Sequence, residues 1–279
     1  MKYRDGGKLG FVSEPKRRSS MRMRVGGIYF CWKRRLQSIF PRVLFAKLVP
    51  SVEQYPCPVA EHSTPLFRPI SREHTWLLEN KVVNLKLALS CLNGLVIRPG
   101  ECFSFWHLVG KPTRRRGFLP GMVLCDGQVV AGIGGGLCQL SNLIYWMTLH
   151  TPLEVVERWR HNYDVFPDAN RSQPFGSGAT VSYNYIDLKI QNNTDQRFQL
   201  HLWLSDTLLC GEWRSMKPSF FTYEVFEKDH EIKLQAWGGY TRHNRLFRRI
   251  LNESGQEIGE ELLVENHAIM MYQPLLPGS

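Results

Sequence analysis

The chain has 279 residues, 43% hydrophobic and 22% charged, which fits a folded globular protein and excludes a low-complexity or collagen-like one. Its net charge is +10, yet residues 1–50 hold 13 Lys and Arg against 2 Asp and Glu, while the rest hold 22 against 23. A basic excess confined to one end argues against a fold that wraps nucleic acid, so no nucleic-acid partner is expected.

Residues Met1 to Met23 are basic and rich in Gly and Ser, and read as disordered. Ile28 to Val49 interleaves Phe30, Trp32, Leu36, Ile39, Phe40 and Leu44 with cations, and Pro41 is expected to divide it into two short helical pieces. Lys33, Arg34, Arg35, Arg42 and Lys47 interrupt the apolar run, so neither a secretory signal nor a spanning helix is expected here. Two readings of residues 24–50 stay open. They lie on an anionic membrane surface, or they fold onto the protein's own body with the cations outward.

Residues 51–70, with Pro56, Pro58 and Pro65, read as an extended linker. A helix is predicted from Ser71, a candidate N-cap, to Asn93-Gly94. Cys102 to Trp106 reads as a short strand, and Met122 to Ala131 as a hairpin with its tip at Asp126-Gly127. Gly132 to Gly136 is a glycine-dense loop that opens a helix from Leu137 to His150, with Leu137, Leu140, Leu143, Ile144 and Met147 on one face. Beyond it the pattern is mainly β: Leu153 to Arg158, Ala179 to Asn192, Phe198 to Leu204, Thr207 to Trp213, and alternation from Phe220 to Tyr272. The expected fold is α+β, with helices in the N-terminal half, a central glycine loop leading into a helix, and a β-rich C-terminal half. The expected division is a basic arm (1–50), a linker (51–70), a core domain (71–215) and a β-rich C-terminal extension (216–279).

Chemistry is most concentrated at Cys138, in the first turn of the helix that follows the glycines. Free N–H groups and the partial positive charge of a helix start lower a thiol pKa and stabilise an oxyanion. This predicts a thiolate at Cys138 with His161 as its base. Asp164, Asp168 or Asp187 would orient the imidazole, with Asp187 the preferred choice, and Gln139 or Asn162 would donate to an oxyanion. Gly134, Gly135, Gly136, Ser141 and Arg158 are the residues expected to bind substrate. The competing reading makes Cys138 a buried packing residue, the glycines a device for close approach, and His161 a hydrogen-bonded histidine beside Trp159. Arg114 to Arg116 beside Lys111 could hold a phosphate or carboxylate, but fit a solvated turn better. The seven cysteines form no CxxC, there is no HExxH, and the glycines match neither a P-loop nor GxGxxG. No metal and no cofactor are expected, and reduced thiols suit a cytoplasmic address.

Several blocks in order resemble the VanW family. They are Asn84-Leu-Lys-Leu-Ala, Leu92 to Glu101, Phe103-Ser-Phe-Trp106, Gly117-Phe-Leu-Pro-Gly121, Gly134-Gly-Gly-Leu-Cys-Gln-Leu-Ser141, Thr151 to Arg158, His161, Ala179-Thr-Val181, Ile186-Asp-Leu-Lys189 and Asn192-Asn-Thr194. The resemblance implies an accessory role in glycopeptide resistance and cell-wall metabolism, with a peptidoglycan precursor or the enzymes of a resistance cluster as partners. It implies no reaction. A thiol hydrolase or transferase is one expectation. A non-catalytic binding or scaffold protein, peripheral on the inner membrane face, is the other. The chain departs from the family pattern at Asn142, Asn162 and Gly178, where Thr, Ser and Asp are usual.

Overall fold

The computed structural model describes residues 19–39, 43–48, 53–67, 75–125, 128–161, 163–165 and 173–274. In chain order the elements are α1 (Ser20–Ile39), β1 (Leu44–Phe45), β2 (Cys57–Pro65), α2 (Thr75–Leu92), β3 (Val96–Ile97), β4 (Glu101–Ser104) and α3 (Phe105–Val109). A 3₁₀ turn (Arg114–Arg116), β5 (Pro120–Cys125), β6 (Gln128–Ile133), α4 (Leu137–Leu149), β7 (Glu154–Glu157), β8 (Tyr163–Asp164) and β9 (Lys189–Gln191) follow. The chain closes with β10 (Phe198–Leu204), β11 (Leu208–Ser215), β12 (Thr222–Leu234), β13 (Tyr240–Leu251) and β14 (Glu257–Met270). Helices and strands in this mixture make an α+β fold that is β-rich overall.

The strands form three four-stranded sheets and the β5–β6 hairpin, and the main buried cluster lies among residues 46–213, with Val225 and Leu263 of the C-terminal sheet packed against it. The sheet β2-β11-β10-β3 is antiparallel throughout and carries α4 on one face. The helix buries Leu137, Leu140, Leu143, Ile144 and Met147, the face its periodicity predicts. It lies so close to β11 that a Cβ at Gly211 would stand 2.8 Å from Leu202 Cδ2 and 2.9 Å from Met147 Cε. Trp213, fully buried, anchors the same contact by donating its indole N–H to Thr148 Oγ1 at 3.1 Å. A second sheet, β1-β4-β9-β7, packs around Phe103 and Ile190. The third, β12-β13-β14-β8, is a long meander whose last strand pairs in parallel with β8, so the C-terminal extension is joined to the middle of the chain. Its outer strand β12 carries a register shift between Lys228 and Glu231, with Asp229 at φ 53.

Four expectations change. The Pro-rich stretch is extended, but it is no linker. Cys57–Pro65 forms the edge strand β2, paired with β11 from Leu208 to Ser215. Proline lacks only the N–H, which an edge strand can present outward without loss. The basic arm is one twenty-residue helix followed by the strand β1, not two helical pieces, because Leu44 and Phe45 find partners at Glu101 and Cys102. The strand expected through Trp106 stops at Ser104, whose Oγ accepts from His107 N at 3.2 Å and so caps α3. The strand expected from Ala179 to Asn192 shrinks to β9 and one isolated bridge, Ser182 to Ile186. Side chains, not a neighbouring strand, satisfy much of the backbone there. The Ser71 cap, Asn162, Asp168 and the Asp126-Gly127 tip lie outside the described residues, although Cys125 and Gln128 do pair across that tip.

Candidate functional site

The glycine loop is a packing device. Gly134 and Gly136 have φ of 77 and 96, which favour glycine. A Cβ on Gly135 would fall on the Gly121 carbonyl of β5, and one on Gly136 would fall on the side chain of Lys81 in α2. Asn84, buried completely in α2, fixes the loop from behind. Its Nδ2 donates to Gly135 O at 2.9 Å and Leu119 O at 3.0 Å, and its Oδ1 accepts from Leu119 N at 2.8 Å. The loop's surroundings therefore leave no room for a ligand at Gly135.

Cys138, Ser141 and Arg158 do converge, but on the protein's own backbone between Gly176 and Val181. The Cys138 thiol donates to Val181 O at 3.6 Å, and Ser141 Oγ donates to Ala179 O at 2.6 Å, with Cys138 O a second, longer acceptor at 3.1 Å for the same hydroxyl. Asn142 Oδ1 accepts from Ala179 N at 2.7 Å. Arg158 Nε donates to Gly178 O at 2.8 Å, one of its terminal nitrogens donates to Gly176 O, and the other donates to Asn266 Oδ1 at 3.2 Å. The guanidinium also lies over the Tyr145 ring, 5.0 Å from its centroid. The start of α4 and the end of β7 thus clamp an extended segment that would otherwise carry unpaired carbonyls.

This geometry reverses one electrostatic expectation. Cys138 is half-buried, and burial pushes its thiol pKa up, with the hydrogen bond to Val181 pulling more weakly the other way. No hydrogen bond joins Cys138 to His161, and burial, then the charge of Arg160, hold the His161 imidazole below its ordinary pKa. Gln139 is turned toward β2, donating to Thr64 Oγ1 at 2.8 Å and Pro65 O at 2.9 Å, not toward an oxyanion. Asp187 is also committed elsewhere. Its carboxylate accepts from Ser104 Oγ at 2.6 Å, Trp106 N at 3.1 Å and Leu188 N at 3.0 Å, and burial raises its pKa to about 6. Asp164, the other described candidate, faces Tyr272 at 3.0 Å and Arg242 at 3.5 Å.

Asn84, Asn142 and Asn266 carry much of this network and were not singled out as site residues. The signal for Asn84 is its place on the buried face of α2, beside Lys81 and among Leu77, Leu85, Ala88 and Leu92. The basic turn at Arg114 is exposed, with Arg116 donating to Lys111 O at 2.8 Å and lying over Phe118.

The family description "VanW like protein" matches residues 80–214, from α2 to the end of β11, and the chain belongs to the VanW family. Across 194 residues it is 36% identical to the vancomycin B-type resistance protein VanW of Enterococcus faecalis, covering 70% of each chain. It is also 32% identical over 116 residues to the uncharacterized protein YoaR of Bacillus subtilis, covering 40% of this chain and 36% of YoaR. No solved structure matches.

Proposed function

We propose that the protein is a non-catalytic accessory of vancomycin resistance, a cytoplasmic binding or scaffold protein that serves the enzymes remodelling peptidoglycan precursors. Its kinship to a protein named for vancomycin B-type resistance supports the biological setting. The state of Cys138 favours a scaffold over a thiol hydrolase or transferase. A nucleophilic cysteine needs a lowered pKa or an adjacent base. Here the thiol is raised and spends its hydrogen on the Val181 carbonyl. Gln139 and Asp187, the groups that would complete a catalytic site, hold β2 and α3 in place.

Two measurements test this. Iodoacetamide labelling read site by site should show Cys138 reacting more slowly than a free thiol at neutral pH, because burial suppresses the thiolate. In resistant cells, Cys138→Ala should leave vancomycin tolerance within about twofold of wild type, whereas deletion of the whole protein should lower it. Loss of tolerance with the variant folded and present at normal levels would restore the enzyme reading. Unchanged tolerance on deletion would remove the link to resistance.

A further inference from the structure

Helix α1 is fastened to the body by one side and offers the other to solvent. On the fastened side Arg34 pairs with Glu157 of β7 through both terminal nitrogens, the Glu157 Oε2 contact measuring 2.8 Å, and reaches Tyr185 O at 3.0 Å. Lys189 of β9 braces the same carboxylate at 3.0 Å, and the Cys31 thiol faces Tyr183 O at 4.0 Å. Burial of the Arg34–Glu157 pair orients the helix about its own axis.

The outward side is apolar. Met21, Val25, Ile28, Tyr29, Trp32 and Leu36 are each at least 59% exposed. At 3.6 residues per turn these six positions fall within an arc of roughly 100°. Arg22 and Lys33 fall just beyond one border of that arc and Arg35 just beyond the other, and all three are exposed. A groove of about 540 Å³ runs along the Arg35 border, lined also by Ile28, Trp32, Lys111 and Asn184. Arg35 and Lys111 bring two positive charges to the same groove.

We infer that the outward stripe of α1 docks on an anionic lipid bilayer, with Arg35 and Lys111 receiving a lipid phosphate in the groove beside it. An apolar stripe bordered on both sides by cations is what a helix lying in the headgroup plane requires. The charge asymmetry of the chain gives the same sign, since residues 1–50 carry a net +11 and the remainder −1. No helix among the described residues is long and apolar enough to cross a membrane, so α1 lies on the surface. The Arg34–Glu157 clamp then sets which face of the body looks toward the lipid. This inference is independent of the function proposed above, because it uses no residue of the Gly176–Val181 clamp.

Sedimentation of the full chain with phospholipid vesicles tests it. Vesicles containing phosphatidylglycerol should bind the protein at least about tenfold more tightly than phosphatidylcholine alone, and high salt should weaken that binding. Ile28→Glu with Trp32→Glu should reduce binding to anionic vesicles at least about tenfold, while Arg35→Gln should reduce it roughly fivefold. Both variants change exposed side chains, and an unaltered melting temperature will show that each is folded. Undiminished vesicle binding by the double variant would overturn the proposal, because the basic charge alone would then suffice. Equal binding to neutral vesicles would overturn it too. So would a lipid-free dimer that the double variant dissolves, which would make a second copy the occupant of the stripe.

Discussion

Asp187 shows how a side chain that resembles a catalytic group can be a structural one. Its carboxylate holds the start of α3 against the residues that lead into β9, and burial costs the charged form more than the three donors return. A folded-state pKa of about 6 lies above the ordinary aspartate value of 3.8, so the folded protein holds this proton more tightly than the unfolded chain does. The resulting stabilisation is complete below about pH 4 and is lost as the pH rises through about 6. Asp187→Asn removes that dependence. The stability difference between wild type and variant should therefore move by roughly 2 kcal/mol between pH 4 and pH 7, wild type being favoured at the acid end. Denaturant melts across that range measure it, and a constant difference would show that Asp187 titrates normally. Sequence reasoning located Cys138, Ser141 and Arg158 in one neighbourhood but could not see what fills it. Their partners are backbone carbonyls of Gly176 to Val181, and backbone has no signature in a list of side chains.

At the scale of elements, periodicity was readable wherever one face of a helix or strand meets the core. α2 and α4 lie where the apolar spacing puts them, and β10 and β11 fall close to their expected bounds, although β11 is buried continuously from Leu209 to Trp213. Legibility failed where the structure depends on distant pairing. β2 is a strand because β11 lies beside it, and β1 because β4 does. Those contacts join residues more than 50 positions apart and leave no local pattern. The seat of α4 is the most exacting junction. Gly211→Val would press a branched side chain against Leu202, Met147 and Leu143, already 2.8 to 3.2 Å from where a Cβ would stand. A loss of about 3 kcal/mol is expected in urea unfolding. Adding Met147→Ala should recover part of that loss by opening space for the new side chain. A double variant no more stable than Gly211→Val alone would place the strain elsewhere.

At the scale of the molecule, polar contacts join the C-terminal sheet to the rest of the described residues. Arg158 reaches from β7 to Asn266 in β14, and Asn266 in turn donates to Asn244 in β13 at 2.9 Å. His150, at the end of α4, faces the Tyr223 carbonyl of β12 at 2.8 Å, and Arg248 donates to Thr151 O at 2.6 Å. Arg158→Met would leave three buried acceptors without their donor and should cost about 3 kcal/mol. Limited proteolysis should then cut the β11–β12 connection, around Lys217, faster than in wild type. Unchanged cleavage would mean that apolar packing alone holds the C-terminal sheet.

The irregularity in β12 bears on how the protein behaves at high concentration. β12 is the outermost strand of its sheet, and an outermost strand with a full row of idle amides and carbonyls invites the same strand of another molecule. The displaced register at Lys228 to Glu231, with charged side chains standing at the kink, breaks that row midway. Two copies meeting rim to rim could zip only a few residues before the kink parted them. The kink and the charges on it thus oppose edge-to-edge growth of the long β meander.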